Sequence, residues 1–165
     1  MRQPGPLTLP LADEAATRAA AGRLARAWAE TPAMLFVALE GELGAGKTTF
    51  VRGFLAALGE AGPVRSPTYG LLESYSLPQG LRVHHLDWYR LAGTVEEVDA
   101  LGFRELLEGH DACLVEWADR VPALAARADV RIRVAMARDG RTLQGIGQSR
   151  LGERLVTHLL APDKA

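Results

Sequence analysis

The chain has 165 residues, 48% of them hydrophobic, and a formal net charge of −1, which suits one buried core and is short for two ordinary domains. A near-neutral chain has no overall field with which to hold a polyanion by counterion release, so strong unaided nucleic-acid binding is not expected, although a local basic patch is compatible with that charge. The single cysteine, Cys113, excludes an internal disulfide, no apolar stretch approaches a membrane span, and Met1 to Pro6 reads as neither signal nor transit peptide; a cytoplasmic protein with one domain over 1–165 is expected.

Leu7, Leu9 and Leu11 alternate with polar or small residues, as in a short half-buried strand, and Asp13 can cap an alanine-rich helix from about Glu14 to Glu30. Ala33 to Leu39 is an unbroken apolar run, the pattern of a strand covered on both faces. Val51, Phe54, Leu55 and Leu58 then recur at helical spacing, with Gly59 where a helix would stop. Two extended runs, Tyr69 to Tyr75 and Leu81 to Leu86, flank Ser76 to Gly80 and predict a hairpin with a loose turn. Thr94 and Glu97 form a capping box for a short helix that Gly102 interrupts before Phe103 to Leu107. Ala112 to Val115 is the next strand, and Val130 to Ala137 alternates as a strand with one wet face. Asp139-Gly140 turns it into Arg141 to Ile146, and Leu151 to Leu159 marks a last helix. The predicted fold is a three-layer α/β sandwich whose mixed sheet has a parallel centre with antiparallel strands added.

Between the both-faces strand and the following helix lies Gly41-Glu42-Leu43-Gly44-Ala45-Gly46-Lys47-Thr48-Thr49, which fits the G-x-x-x-x-G-K-[ST] phosphate loop without a gap. Glycines let backbone N–H groups close around a triphosphate, Lys47 reaches its β- and γ-phosphates, and the Thr48 hydroxyl completes a Mg²⁺ shell. The helix that starts here points the positive end of its dipole at the anion. Only two lysines occur in the chain, Lys47 and Lys164, against seventeen arginines, and one of the two stands at this position.

A Mg²⁺–triphosphate site needs carboxylates at the carboxyl ends of neighbouring strands. Glu116, ending Ala112 to Val115, is the first choice for holding the metal or orienting the attacking water, and Asp87, ending Val83 to Leu86, is the second. Ser66-Pro67-Thr68-Tyr69 lies where nucleotide-sensing loops often sit, and equally suits a proline turn that starts a strand. His84 and His85, adjacent on a strand, point to opposite faces and cannot chelate one metal together, so they read as structural. His110 and His158 read as solvated. Trp88 and Trp117, each following a candidate carboxylate, line either the site or the core. Arg131, Arg133, Arg138 and Arg141 form a solvated face or a surface for a partner or RNA.

Four stretches in this order, Gly41 to Phe50, Ser66 to Tyr69, His85 to Leu91 and Leu114 to Trp117, resemble the TsaE (YjeE) family of bacterial tRNA threonylcarbamoyladenosine biosynthesis ATPases, from about Leu11 to Gly140. The resemblance implies a P-loop ATPase, weak alone, that uses ATP and Mg²⁺ and works with TsaD and TsaB, which attach the threonylcarbamoyl group to adenosine 37 of ANN-decoding tRNAs; tRNA is then met indirectly. By motif match Lys47 and the loop amides hold phosphates, and Thr48 with Glu116 holds Mg²⁺. Asp87 stands on the metal or one step behind it, Thr68 lies in a switch-like loop near the γ-phosphate, and Trp117 is next to the metal carboxylate. Adenine contacts fall near Glu14 and near Gly140 or Arg141. The chain departs from the family in having Leu86 and Trp88 around Asp87, where an aromatic and a leucine are usual, and in its last residues. Guanine is disfavoured because no N/T-K-x-D segment occurs. Two other readings are a small-molecule kinase, which would need an acceptor pocket and a mobile arginine-rich lid, and an assembly factor that binds ATP without needing its hydrolysis.

Overall fold

The computed structural model describes residues 6–67 and 72–161. Its strands are β1 Leu7–Leu11, β2 Leu35–Glu40, β3 Leu72–Ser76, β4 Arg82–Asp87, β5 Ala112–Glu116, β6 Val130–Ala137 and β7 Gly140–Gly147. They form one sheet in the order β1-β7-β6-β2-β5-β4-β3. The four central strands, β6, β2, β5 and β4, run parallel, while β3, β7 and β1 are added antiparallel at the two edges. This is the predicted mixed sheet. β2 is central because every one of its residues is apolar up to Glu40, so it has no face to offer water.

Helices α1 Glu14–Glu30, α2 Lys47–Ala57 and α6 Arg150–Leu159 cover one face, and the short α3 Val95–Ala100, α4 Phe103–Leu106 and α5 Pro122–Ala125 cover the other. The alternation of β2 divides the core between them. Leu35, Val37 and Leu39 pack with Trp28, Phe50 and Phe54 on the first face, whereas Phe36 and Ala38 pack with Trp88 and Phe103 on the second. Burial of each such aromatic contributes roughly 2–3 kcal/mol. Trp28 also donates its ring N–H to the Ala33 carbonyl at 2.7 Å, which ties the end of α1 to the chain entering β2.

Local signals match the observed ends. The Asp13 carboxylate accepts the Ala16 N–H at 2.8 Å and starts α1, and Ser149 does the same for α6 through the Gly152 N–H at 3.0 Å. Thr94 accepts the Glu97 N–H at 3.2 Å, but the Glu97 carboxylate takes the Ala92 N–H at 2.7 Å, so the expected box closes one residue pair further out. Where α1 crosses α2, Gly53 makes the approach close: a Cβ there would lie 2.5 Å from the Arg18 Cα and 2.6 Å from its carbonyl oxygen. The first described residue of the strand expected from Tyr69 is Leu72; Thr68 and Tyr69 lie outside the described residues. No element was expected between Trp117 and Asp129, yet a 3₁₀ turn at Ala118–Arg120 and α5 stand there. Both are too short to leave a periodic pattern.

Candidate functional site

At Glu40 the chain leaves β2 and turns through residues that only glycine accommodates. Gly41 has φ +149°, and a Cβ on it would strike the Val134 carbonyl oxygen of β6. Gly46, with φ +119°, caps α2, so Lys47 and Thr48 are the first residues of that helix. Leu43 at the tip of the loop is exposed and Ala45 is buried, anchored by its N–H to the Glu42 carbonyl at 3.0 Å. The phosphate loop therefore has the strand, turn and helix that the motif requires.

Lys47 is 5% exposed, and its ammonium donates to the carbonyl oxygens of Gly41 at 2.6 Å and Glu42 at 2.9 Å. It also lies 4.1 Å from the ring centre of Trp117. Burial pulls the Lys47 pKa below its ordinary value, and the carboxylates of Glu116, Asp119 and Asp87 oppose that pull. An ammonium desolvated and satisfied only by neutral carbonyls is primed to exchange them for phosphate oxygens.

Next to it, Thr48 Oγ1 donates to Glu116 Oε1 at 2.8 Å. Glu116 is 3% exposed, and its other oxygen, Oε2, lies 2.6 Å from Nε2 of the fully buried His85. Parity explains the meeting. Val83, His85 and Asp87 alternate to the same face of β4 as Ala112, Leu114 and Glu116 of β5, and the parallel register places Asp87 opposite Glu116. Both residues thus belong to the face that α2 covers. His84, expected to be structural, bridges Ser74 Oγ at 2.7 Å and Asp111 Oδ2 at 2.9 Å through its ring. His85, read from sequence as structural too, stands on the candidate metal carboxylate. The spacing His85-x-Asp87, two residues on one face, was the signal that could have found it.

Asp87 is buried beside Glu116, but its oxygens are turned to the chain. Oδ1 accepts the Tyr89 N–H at 2.8 Å, and Oδ2 accepts the Ser66 hydroxyl at 3.1 Å. Trp117 follows Glu116 in the left-handed region, with φ +58°, a conformation that costs a non-glycine residue about 1 kcal/mol or more. It turns the indole onto Lys47 and sets it against Tyr89, ring centres 4.8 Å apart and planes tilted by 49°, with the Arg120 guanidinium 5.1 Å from Tyr89. Trp117 is thus a wall of the site, and Trp88 is core, edge-on to Phe103 at 5.0 Å. A cleft of about 600 Å³ flanks the loop on this side, with Leu43, Asp119 and Met136 among its lining.

On the other side of the loop, a notch of about 40 Å³ is lined by Glu14, Thr17, Gly44, Gly46, Thr49 and Arg141. Arg141 donates to the Gly44 carbonyl at 3.1 Å, and Gly140 begins β7 against the Leu11 carbonyl. The three residues expected at the base end are therefore gathered at one edge of the loop. Of the four arginines expected on one face, Arg131 and Arg133 are ion-paired to the buried Glu40, and that pairing was not foreseen. Thr68 lies outside the described residues.

The donors fit Mg²⁺. A hydroxyl and a carboxylate, both hard oxygens and 2.8 Å apart, stand at the head of a helix. Among the described residues no cluster of three or more His, Cys, Asp or Glu could hold a metal ion alone.

The family described as "Threonylcarbamoyl adenosine biosynthesis protein TsaE" matches residues 11–143. A tRNA threonylcarbamoyladenosine biosynthesis protein TsaE from Haemophilus influenzae is 37% identical over 127 residues, 77% of this chain and 79% of that protein. Its Bacillus subtilis namesake is 39% identical over 101 residues, 61% of each chain. The crystal structure of YdiB from Bacillus subtilis superposes with TM-score 0.73 and 28% identity, covering 96% of this chain and 97% of that one.

Proposed function

Because the chain belongs to the TsaE family, we propose that it binds and hydrolyses Mg-ATP, as one domain over residues 1–165, in support of a TsaB–TsaD pair. That pair forms the threonylcarbamoyl group on adenosine 37 of ANN-decoding tRNAs in the cytoplasm. One observation carries the reading: the Thr48 hydroxyl donates to the buried Glu116 carboxylate directly behind a complete phosphate loop. A carboxylate kept that dry, with an alcohol as partner, is a place for a cation.

In this reading Gly41 to Thr49, through Glu42, Leu43, Gly44, Ala45 and Gly46, surround the phosphates. Lys47 gives up the carbonyls of Gly41 and Glu42 for phosphate oxygens. Thr48 and Glu116 would hold Mg²⁺, which when bound neutralises charge on the β- and γ-phosphates. Asp87 holds Ser66 and so ties the segment leading to Thr68 to the strand ends beside the metal. Thr68 is assigned to sensing the γ-phosphate, and Glu14, Gly140 and Arg141 to the adenine end. Trp117 walls Lys47 away from water and keeps its charge in a low-dielectric site, where it acts most strongly on phosphate.

The test is ATP turnover by the purified chain, alone and with TsaB and TsaD from the same source. Weak turnover alone and strong stimulation by the pair are expected. Tight nucleotide binding with no stimulation would overturn the partner assignment, and a phosphorylated metabolite in a substrate screen would replace it with a kinase. Full tRNA modification by a Glu116→Ala chain would leave ATP as a ligand of an assembly factor.

A further inference from the structure

His85 is fully buried, and the phosphate-loop motif gives it no task. Its Nε2 lies 2.6 Å from Glu116 Oε2, while Nδ1 meets no hydrogen-bond partner among the described residues. That asymmetry selects a tautomer. A proton on Nδ1 would be a buried donor with no acceptor among the described residues, whereas a bare Nδ1 leaves only an unused lone pair, the cheaper of the two. The remaining proton is then on Nε2, where it donates to Glu116.

Glu116 has two oxygens with separate duties. Oε2 accepts from His85, and Oε1 accepts from Thr48. A glutamate side chain has three rotatable bonds, and a carboxylate pinned at one oxygen loses the swing that would let the other wander. Pinning also fixes which lone pairs remain open on the side of α2, where the loop lysine and threonine begin.

We propose that His85 is a positioning residue: as the Nε2–H tautomer it holds Glu116 Oε2 and aims Oε1 at Thr48, so that a divalent cation arriving with nucleotide meets a carboxylate already oriented. The inference rests on the assignment of Thr48 and Glu116 to Mg²⁺. Groups one step behind a metal ligand act in this way in metal sites generally, and their removal weakens metal binding without removing a ligand.

Titration of a fluorescent ATP analogue into the full chain, with Mg²⁺ varied and again with a chelator, separates metal from nucleotide. His85→Phe keeps the volume and removes the donor, whereas His85→Gln carries an amide N–H to about the same place. The Phe variant is expected to need about 10–100-fold more Mg²⁺ for half-saturation, with affinity in chelator unchanged, and the Gln variant to return most of that loss. A folded Phe variant with the wild-type Mg²⁺ requirement overturns the inference. So does a Gln variant as impaired as Phe, or an equal loss in chelator, which would mean mere packing. Nitrogen chemical shifts of His85 in the unaltered chain give a check independent of any variant's folding: a proton found on Nδ1 refutes the tautomer. Wild-type binding indifferent to Mg²⁺ would overturn the metal assignment itself, and the inference with it.

Discussion

Glu40 and Glu116 end the neighbouring parallel strands β2 and β5, and their exposures are nearly equal, 4% and 3%. Their partners differ completely. Glu40 alternates with Phe36 and Ala38 toward the face of the short helices, where the Arg131 Nε donates to it at 2.9 Å and Arg133 approaches at 3.4 Å. Glu116 faces α2 and receives a threonine hydroxyl and an imidazole. One carboxylate has its charge balanced within the fold, and the other has hydrogen bonds but no guanidinium. Burial of an acid at a strand end therefore does not identify a site. The kind of partner does: Glu116 is hydrogen-bonded by a hydroxyl and an imidazole, and the ammonium that shares its surroundings is that of the phosphate-loop Lys47.

Removing one carboxylate, and then a partner of the other, breaks the comparison if it is wrong. Glu116→Ala is expected to lower partner-stimulated ATP turnover on the order of 100–1000-fold while the chain still binds nucleotide, whereas Lys47→Ala loses nucleotide binding itself. Equilibrium binding and single-turnover rates distinguish the two, and normal turnover in the first variant would place the metal elsewhere. On the other face, Arg131→Met should cost about 1–3 kcal/mol of stability by urea unfolding, toward the low end because the guanidinium is a third exposed and Arg133 remains. Its Mg²⁺-dependent nucleotide binding should match wild type; a loss there would join the two carboxylates into one site.

The smallest effect is alkaline. Burial pushes the Cys113 thiol from about 9 up to about 12, on the same face as Glu40. The folded chain keeps that proton while the unfolded chain releases it near pH 9. The thiol's contribution is thus complete below pH 9 and lost as pH rises toward 12, about 1 kcal/mol per pH unit. A Cys113→Ala chain should lose stability less steeply than wild type between pH 9 and 10.5, read from melting curves. An unchanged slope would show that the thiol ionises in place.

The sequence already held what depends on local order. The loop from Gly41 to Thr49, the capped start of α1 at Glu14, the both-faces strand β2 and the wet-faced β6 all follow from spacing or turn chemistry, and each stands where its pattern put it. Glu116 was legible as a strand-end acid. What it touches was not, because the contacts of Glu116 with Thr48 and His85 span 68 and 31 residues and depend on which strands become neighbours. The same holds for Glu40, whose arginines lie more than ninety residues on. Of the four arginines expected on this strand pair, the two on β6 are turned onto a buried acid.

The notch at Gly53 reaches further than helix packing. α2 begins with the residues assigned to phosphate and metal, and α1 begins with Glu14 at the opposite edge of the loop. The two helices cross where Gly53 lets the Arg18 backbone come within van der Waals reach of α2. The closeness of that crossing therefore sets how far apart the two helix starts stand. Even one methyl group at position 53 would meet the Arg18 backbone and force the two helices apart, moving the start of α1 away from the start of α2 without altering a residue at either.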